Sequence, residues 1–429
     1  MSASIISHTT NKLTIQIDIT LEGSMMQMEE HIQDVLNEAG QLATGKALEQ
    51  FDTDGSPVTH GKTKLTARKE KVNQRYETSY GKIDVKRYQY QSSRGGKTYC
   101  PMENKARCIR NSTLRFAKIV SEKYARMSAH AVCADIESTQ RRSIAQAYVQ
   151  NLAEDVSTIA QLHEEDWEYE IPEPPHPVKH IGISIDGTYR LLTRSGLRET
   201  MTGTISLYDI QGERMHTIYV AATSEYGKEK FKTKMKHEIE RIIARYPKAL
   251  ITGLGDGALD NWNFLENYCD RLMIDFWQAA EQVHKVADAR WGDAAHHRET
   301  KETWLVGQLH KLKHEDGYVQ QILSEFRDFQ RACKTSSRKD QVVSAIMYFM
   351  RHEERMPYAE HVRQKYPIGS GTTEAAFKTV IQQRLDMPGA RWTEEGIGVV
   401  LSLRTLILTP GYWNSFWEKT MQNEIMKNQ

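Results

Sequence analysis

The order of strand-like and helix-like segments between residues 182 and 276 limits most strongly what this chain can fold into. Three strand patterns follow one another, and two more come after them, each preceded by a helical pattern. The predicted elements are strands Gly182–Leu192, Thr200–Tyr208, Met215–Ala222, Ala249–Leu254 and Leu272–Phe276, and helices Lys228–Tyr246 and Trp262–Tyr268. Antiparallel hairpins followed by βαβ units predict an α/β fold, with a mixed sheet that carries helices on both faces.

Two aspartates follow strand patterns in this run. Asp186 comes after GISI and Asp256 after LITGLG, and a glycine follows each acid, so each is predicted to stand at the end of a buried strand. Ligands gather at the carboxyl ends of strands in such sheets. An Asp-Gly pair taken alone is more often a turn, and that remains the alternative for each. Asp260 and Asp275 are competing candidates, Asp275 because it ends the last strand.

A third acid, Glu374, lies in the stretch YPIGSGTTEAAF. It is predicted just inside a helix that begins after a Gly-Ser-Gly-Thr turn, with Thr372 or Thr373 as the cap. Magnesium takes oxygen ligands, and two such cations held by shared carboxylates stabilise both the attacking and the leaving oxygen of phosphoryl transfer. We therefore expect Asp186, Asp256 and Glu374 to converge on two divalent metal ions, as in nucleases and strand transferases.

The segment Ile171–His180 holds four prolines in ten positions and is predicted to be a stiff linker. Helical periodicity replaces the strand pattern after the last strand and explains the long interval before Glu374. The predicted divisions are a basic N-terminal region (1–110), a helix-turn-helix region (111–170), the linker (171–180), a sheet core (181–278), a helical insertion (279–365), and the Glu374 helix with the C-terminal helices (366–429).

The net charge of +1 conceals a strongly basic region. Residues 61–142 hold 20 Lys and Arg against 7 Asp and Glu, a local net charge of +13, so the rest of the chain sums to −12. Such asymmetry is typical of proteins that bind nucleic-acid phosphates, although a solvated lysine-rich face would give the same count. A predicted hairpin around Ser79–Lys82 carries three candidate DNA contacts, Lys82, Lys86 and Arg87.

Three helices are predicted in the region from Asn111 to Leu152, namely Leu114–Met127, Ala129–Ile136 and Ser143–Leu152. The last two, joined by Glu137–Arg142, match a helix-turn-helix, although short helical hairpins are also common in plain bundles. The candidate DNA contacts here are Arg141, Arg142, Gln146 and Gln150. Two more are Arg384 and Arg391, which flank a Met-Pro-Gly turn and are equally compatible with a plain surface role.

Three tryptophans, Trp277, Trp291 and Trp304, can stack an unpaired base, but core packing is the expectation for such large aromatic side chains. The five cysteines are scattered and odd in number, which favours a reducing compartment. No apolar run approaches the length of a membrane span, so we expect a cytoplasmic protein that does not act at a membrane.

Four stretches together resemble the transposases of the insertion-sequence Kra group, which belong to the DDE class: GISIDGTYR, GLGDGALDNW, MIDFWQAAEQVH and PIGSGTTEAAFKTVIQQRLDMPGARWTEEG. The resemblance extends from about Pro177 to Trp417. It implies a ribonuclease H-like fold interrupted by a helical insertion, with Asp186, Asp256 and Glu374 matching the acids of that class. It also implies Mg²⁺-dependent (or Mn²⁺-dependent) cleavage of element ends and strand transfer into target DNA, by a homodimer or larger oligomer associated with the bacterial nucleoid.

The sequence departs from that group in two places. Histidines usual after the last strand are replaced by Gln278 and Gln282, and only Cys100 and Cys108 remain where a zinc ribbon is often found. Because a zinc site needs four ligands, no zinc is predicted. The alternative function is therefore a catalytically diverged, domesticated DNA-binding protein that retains the transposase fold. An ordinary nuclease acting on a free strand would need neither the basic region nor the helix-turn-helix.

Overall fold

The computed structural model describes residues 2–223, 228–292, 295–333 and 335–423, which form two compact units. The first unit contains residues 2–170, 402–407 and 412–423, and the second contains residues 171–401 and 408–411, each within the described ranges. No helix in these ranges is long and apolar enough to cross a membrane.

The first half of the first unit is a set of short antiparallel strands around one long helix. Its elements are β1 (Ala3–His8), β2 (Leu13–Ile17), α1 (Met25–Glu49), β3 (Val58–His60), β4 (Thr63–Ala67), β5 (Val72–Thr78), β6 (Gly81–Arg87), β7 (Tyr90–Ser92) and β8 (Gly95–Tyr99). Strands β3, β4, β7 and β8 make a four-stranded sheet in the order β3-β4-β7-β8, and β5 pairs with β6 as the predicted hairpin. Ser24 caps α1 through a capping box with Gln27.

Strand β6 shows how this half forms its core. Its residues alternate between buried and exposed, so that Ile83 and Val85 point inward and pack with Tyr76 and Met102. The same alternation turns Arg87 inward, where it pairs with Glu103 at 2.9 Å. The hairpin therefore has a buried face and an exposed face.

Four helices complete the first half of the chain: α2 (Pro101–Lys105), α3 (Leu114–Arg126), α4 (Ala129–Gln140) and α5 (Gln146–Leu162). Both α3 and α4 pack on α5. The predicted link at Glu137–Arg142 is too early, because α4 continues to Gln140 and ends where Arg141 adopts a left-handed conformation (φ 51°). Helix α5 begins later and runs ten residues longer than predicted at its C-terminal end, since its apolar positions stay buried through Ala160.

The second unit is built on one five-stranded mixed sheet. Its first elements are β9 (His180–Leu192), β10 (Gly196–Tyr208), β11 (Arg214–Thr223), α6 (Glu229–Arg245), β12 (Leu250–Gly255), α7 (Leu259–Leu265) and β13 (Arg271–Ile274). The strand order is β11-β10-β9-β12-β13. Strand β10 is antiparallel to both its neighbours, whereas β9, β12 and β13 are parallel. The predicted mixed α/β architecture is confirmed.

One face of this sheet is apolar and covered by α6 and α7. Gly203 lets α6 approach closely, because a Cβ there would lie 2.4 Å from Met235 Sδ. On β12, a Cβ at Gly253 would meet Leu265 of α7. The opposite face is lined by buried hydroxyl groups, including those of Ser184 and Thr202. The sheet is therefore polar on the face that leads to Asp186.

A helical block follows the last strand. It comprises α8 (Phe276–Trp291), a 3₁₀ turn (Ala295–His297), α9 (Arg298–His314), α10 (Tyr318–Ala332), α11 (Ser336–His352), a 3₁₀ turn (Glu353–Arg355) and α12 (Tyr358–Arg363). The chain then returns to the sheet as α13 (Gly371–Ala376), a π-helical stretch (Phe377–Gln382) and α14 (Gln383–Leu385), and it ends in α15 (Glu394–Leu408) and α16 (Tyr412–Gln422). Helix α11 packs on α8 and on α10.

The last helix does not belong with the Glu374 helix. Helix α16 lies in the first unit, because its aromatic side chains pack on residues that precede the proline-rich segment. Tyr412 lies 5.1 Å from Tyr169, and Phe416 lies 6.0 Å from Trp167, between ring centroids. The C-terminal region predicted as one division is thus divided between the two units, and its aromatic residues have a packing role.

Candidate active site

Asp186 lies within strand β9, as the predicted range Gly182–Leu192 implies, and not at the strand end that the following glycine suggested. The strand continues for six more residues because β10 pairs with it as far as Leu192. Strand β12, the other neighbour of β9, ends its pairing near Asp186, because it pairs with β9 only as far as Ser184. Asp186 is therefore half-buried at the point where the sheet narrows, directly opposite Thr202.

Asp256 follows the neighbouring strand. The register pairs Leu254 with Ser184, so the next even-numbered positions of the two strands, Asp256 and Asp186, extend from the same face. Asp256 is exposed and forms a turn, in which one carboxylate oxygen accepts the N–H of Ala258 at 3.0 Å. Its turn geometry is thus real, and the side chain nevertheless stays beside the sheet edge.

Glu374 reaches the same face on α13, which packs against β10 and β9. The helix is fixed to the sheet by the buried hydroxyls of Thr373 and Thr204, 2.9 Å apart. Thr373 is therefore not the helix cap. Ser370 occupies the cap position without a side-chain cap bond, and Thr372 is already inside the helix. Glu374 itself is exposed.

The charges of Asp256 and Glu374 act on Asp186. Burial raises the pKa of Asp186, and the negative charges of Asp256, Glu374 and Glu199 raise that pKa further, while the N–H of Gly187 lowers it. Residues from two strands and a distant helix are thus close enough to affect one another. Within the described ranges, no group of three or more His, Cys, Asp or Glu side chains has the arrangement of a metal site.

The donor chemistry at this face suits a hard cation. All three groups are carboxylates, and none of them makes an ion pair with a basic side chain of the described residues. Carboxylates without a cationic partner repel one another, and a bound divalent ion relieves this repulsion. The residue types therefore fit magnesium, although this conformation does not bring them together as a finished ligand set.

Three further acids lie on the elements around the site. Glu199 gave no motif signal, yet it adds to the negative potential at Asp186 and pairs with Lys228 at 3.1 Å. Asp260 pairs with Lys232 at 2.8 Å on the solvent side of α7. Asp275 is buried and serves as the N-cap of α8.

The helical block also reaches the site. A Cβ at Gly257 would lie 3.2 Å from Nε2 of His352, so this histidine of α11 packs on the turn that carries Asp256. One helical turn earlier, the ring of Tyr348 lies 4.8 Å from that of His352 in a tilted arrangement, and burial together with the charges of Asp256 and Asp275 raises the pKa of Tyr348. The insertion thus supports the Asp256 turn.

The predicted DNA contacts divide into exposed and buried side chains. Lys82, Lys86, Gln146, Gln150 and Arg391 are exposed, and Arg141 is exposed but bound to Asp34 at 2.8 Å. Three arginine side chains are withdrawn from solvent instead. Arg87 is buried with Glu103, and Arg384 is buried over the ring of Trp392. Arg142 is half-buried, and its side chain, 7% exposed, lies with Glu77 and over the ring of Phe116. A charged head group paired inside the protein holds structure together, so a DNA surface drawn on this fold excludes these three.

Four exposed cations escaped the sequence prediction. Lys62 and Lys64 lie on the β3–β4 hairpin, and Arg94 and Lys97 on the β7–β8 hairpin. Because β4 and β7 are antiparallel neighbours, the two hairpin turns lie at the same end of the sheet. None of the four makes an ion pair within the described part of the chain. Their clustering depends on strand pairing, which composition does not reveal.

The tryptophans separate in the same way. Trp291 and Trp304 pack together with Phe329, as expected for core residues. Trp277 is 62% exposed and lies beside Gly369, in the turn that precedes α13. The packing expectation is wrong for Trp277, because the first turn of α8 presents this position to solvent.

The positions that departed from the expected motifs have structural roles. Gln282 is buried on α8, and Gln278 is half-buried one turn before it. Cys100 and Cys108 are buried in the apolar cluster around Tyr76 and Met102.

No family model matches the sequence, and no curated protein matches it. The function must therefore be inferred from the residues and their geometry.

Proposed function

We propose that this protein is a DNA transposase of the DDE class, which binds the ends of an insertion sequence and cleaves and joins DNA strands. The observation that carries the proposal is that Asp256 and Glu374 lie close enough to Asp186, on one polar sheet face, for their charges to raise its pKa. Two of these acids come from adjacent parallel strands, and the third comes from a helix that returns to the sheet after a long insertion.

The topology supports this assignment. A ribonuclease H-like core is expected to have three antiparallel strands followed by two parallel ones on the other side of the first, and the order β11-β10-β9-β12-β13 agrees with that expectation. The helical block lies between β13 and the Glu374 helix, where the resemblance to the insertion-sequence Kra group requires it. A π-helical stretch directly after α13 is also of a kind found often at functional sites.

In the proposed reaction the protein supplies position and charge. Asp186, Asp256 and Glu374 would hold two divalent cations, which when bound lower the pKa of a water or 3′-hydroxyl and neutralise the departing oxygen. Asp186 has the central place because β9 lies between β10 and β12. Glu374, exposed at the start of its helix, is the ligand best able to approach the other two.

DNA binding is assigned to exposed cations of the first unit. Lys62, Lys64, Arg94 and Lys97 have no acidic partner in the described residues, so they are available to phosphates, and Lys82 and Lys86 extend from the neighbouring hairpin. Gln146 and Gln150 lie at the start of α5, as expected for a base-reading helix. We also propose that two copies or more assemble on paired element ends.

The test is cleavage of a supercoiled plasmid carrying the native element ends, in Mg²⁺ and in EDTA. Each of Asp186→Ala, Asp256→Ala and Glu374→Ala should reduce strand cleavage at least a hundredfold while leaving end binding nearly unchanged, because these electrostatic interactions act on the transition state. Control variant Asp328→Ala changes an exposed acid of α10 and should cleave as wild type.

The outcomes separate the rival functions. End binding without metal-dependent cleavage by the wild-type protein would favour a domesticated DNA-binding protein. Cleavage that does not require the element ends would favour an ordinary nuclease. Residual nicking above about one hundredth of the wild-type rate in the three alanine variants would contradict the catalytic assignment.

A further inference from the structure

Asp275 is a buried carboxylate that binds two separate segments. It is only 2% exposed at the end of β13. Its Oδ1 accepts the N–H of Trp277 at 2.6 Å and so caps α8. Its Oδ2 accepts the N–H of Ser370 at 2.5 Å and also the Ser370 hydroxyl. A helix cap needs only the first of these bonds, so the bonds to Ser370 are additional to capping and connect the start of α8 to the turn before α13.

The backbone around Asp275 connects both halves of the candidate site. The N–H of Asp275 donates to the carbonyl of Gly255 at 3.0 Å, directly before Asp256. On the other side, the carbonyl of Ser370 accepts the N–H of Glu374 at 3.0 Å. Asp275 is therefore one hydrogen bond from the residue that precedes Asp256, and it binds the residue that begins the Glu374 helix.

We propose that Asp275 is a positioning residue, whose carboxylate holds the Ser370 turn so that Glu374 stays beside Asp186 and Asp256. This inference rests on the proposed function, since it gives Glu374 a ligand's role. Three donors from the protein take three of the roughly four lone-pair sites of the Asp275 carboxylate, and the side chain is buried, so the structure uses this carboxylate to bind the chain itself. Charge-assisted bonds of this kind are about twice as strong as neutral ones and are well suited to orienting a ligand.

The sharpest perturbation is Asp275→Asn. The amide keeps one oxygen for Trp277 but turns an N–H₂ group toward the backbone N–H of Ser370, so that two donors face each other there, while the Ser370 hydroxyl can rotate to accept an amide N–H. Ser370→Ala removes only the hydroxyl bond and should act in the same direction with a smaller effect. The matched control is Asp209→Asn, which changes another buried aspartate of the same unit that accepts two backbone N–H groups, from Gln211 and Glu213.

Two measurements decide the proposal. The first is hydrogen exchange of residues 371–376 in metal-free protein, and the second is the Mn²⁺ concentration that half-saturates the protein, followed by electron paramagnetic resonance of free Mn²⁺. Asp275→Asn should accelerate exchange in that helix and raise the half-saturating Mn²⁺ concentration about 10- to 100-fold, the range for residues that orient metal ligands. Asp209→Asn should lose thermal stability and change neither quantity.

Unchanged exchange in Asp275→Asn would overturn the inference. The inference would also be overturned if Asp275→Asn exchanged faster but bound Mn²⁺ as tightly as the wild type, provided that Glu374→Gln weakens Mn²⁺ binding. If Glu374→Gln binds Mn²⁺ and cleaves DNA as the wild type does, the proposed function is refuted, and the positioning role is refuted with it. The Glu374→Gln arm thus distinguishes the two failures.

Discussion

Replacing Asp186 by asparagine should inactivate the protein and at the same time stabilise it. Burial and the neighbouring carboxylates raise the pKa of Asp186 above 3.8. The folded protein therefore holds this proton more tightly than the unfolded chain does, and ionisation of Asp186 lowers the free energy of unfolding. This loss is absent below pH 3.8, grows between pH 3.8 and the folded-state pKa, and is complete above the folded-state pKa.

The size of the gain follows from removing one repelled charge. Asparagine has nearly the same shape, so Asp186→Asn should raise the free energy of unfolding at pH 7 by about 0.5–2 kcal/mol, as other relieved surface charges do. For a domain of about 150–250 residues, 1 kcal/mol corresponds to about 2–4 °C in Tm. The gain should disappear as the pH falls toward 4, where the wild-type carboxyl also becomes neutral.

The assay is thermal unfolding of both proteins from pH 4 to pH 8 in EDTA, repeated with 10 mM Mn²⁺. Metal at about ten times its Kd should add about 1.4 kcal/mol to the wild type and almost nothing to Asp186→Asn. Asp328→Asn, an exposed acid of α10, should stay within about 0.5 kcal/mol of the wild type throughout. A variant that is less stable than the wild type at pH 7, or that gains equally from Mn²⁺, would refute the electrostatic reasoning.

Three further predictions concern other residues. Arg87→Ala should lower the free energy of unfolding by about 3–5 kcal/mol in urea titrations, because it removes one partner of the buried ion pair with Glu103. The double variant Lys62→Ala with Arg94→Ala should reduce the slope of log K against log salt for duplex binding by about 2, since each lost phosphate contact removes about 0.9. Trp277→Ala should weaken binding of single-stranded DNA by about 1–3 kcal/mol in fluorescence titrations, as the loss of one stacking ring does.

Each of these has a matched comparison. Lys86→Ala changes the exposed neighbour of Arg87 and should leave stability within about 0.5 kcal/mol. Lys236→Ala with Arg298→Ala removes two exposed cations from the second unit, and an equal fall in salt slope there would contradict a localised DNA surface. Trp277→Phe keeps an aromatic ring, so equal losses for Phe and Ala would argue against stacking.

The sheet could be predicted because its signals are local. Every strand of the second unit was predicted within a few residues. The signals were runs of β-branched residues and Asp-Gly pairs, together with the helical period of the segments between strands. Exact strand ends were harder to predict, because pairing decides them. Asp186 resembled a strand end, yet β10 keeps β9 extended to Leu192. The glycine after Asp186 marks the end of β12 pairing and not the end of the strand.

The sequence predicts only in part which basic side chains are exposed and which are buried. Alternation along β6 already indicates that Arg87 faces the same way as Val85 and Ile83, whereas Lys86 faces solvent. Arg142 gives no such signal, because its partner Glu77 lies on a hairpin more than sixty positions earlier. A charge count treats all of these residues alike, so it overestimates the positive surface of the 61–142 region.

The least predictable contacts are those that fix Glu374. Asp275 and Ser370 are separated by 95 positions, and each has an ordinary local explanation, one as a helix cap and the other as part of a glycine-rich turn. Only the fold brings the two together. If Glu374 acts on the metal, its position depends on this distant pair as much as on its own helix. Substitutions at Asp275 should then impair cleavage without touching any of the three carboxylates.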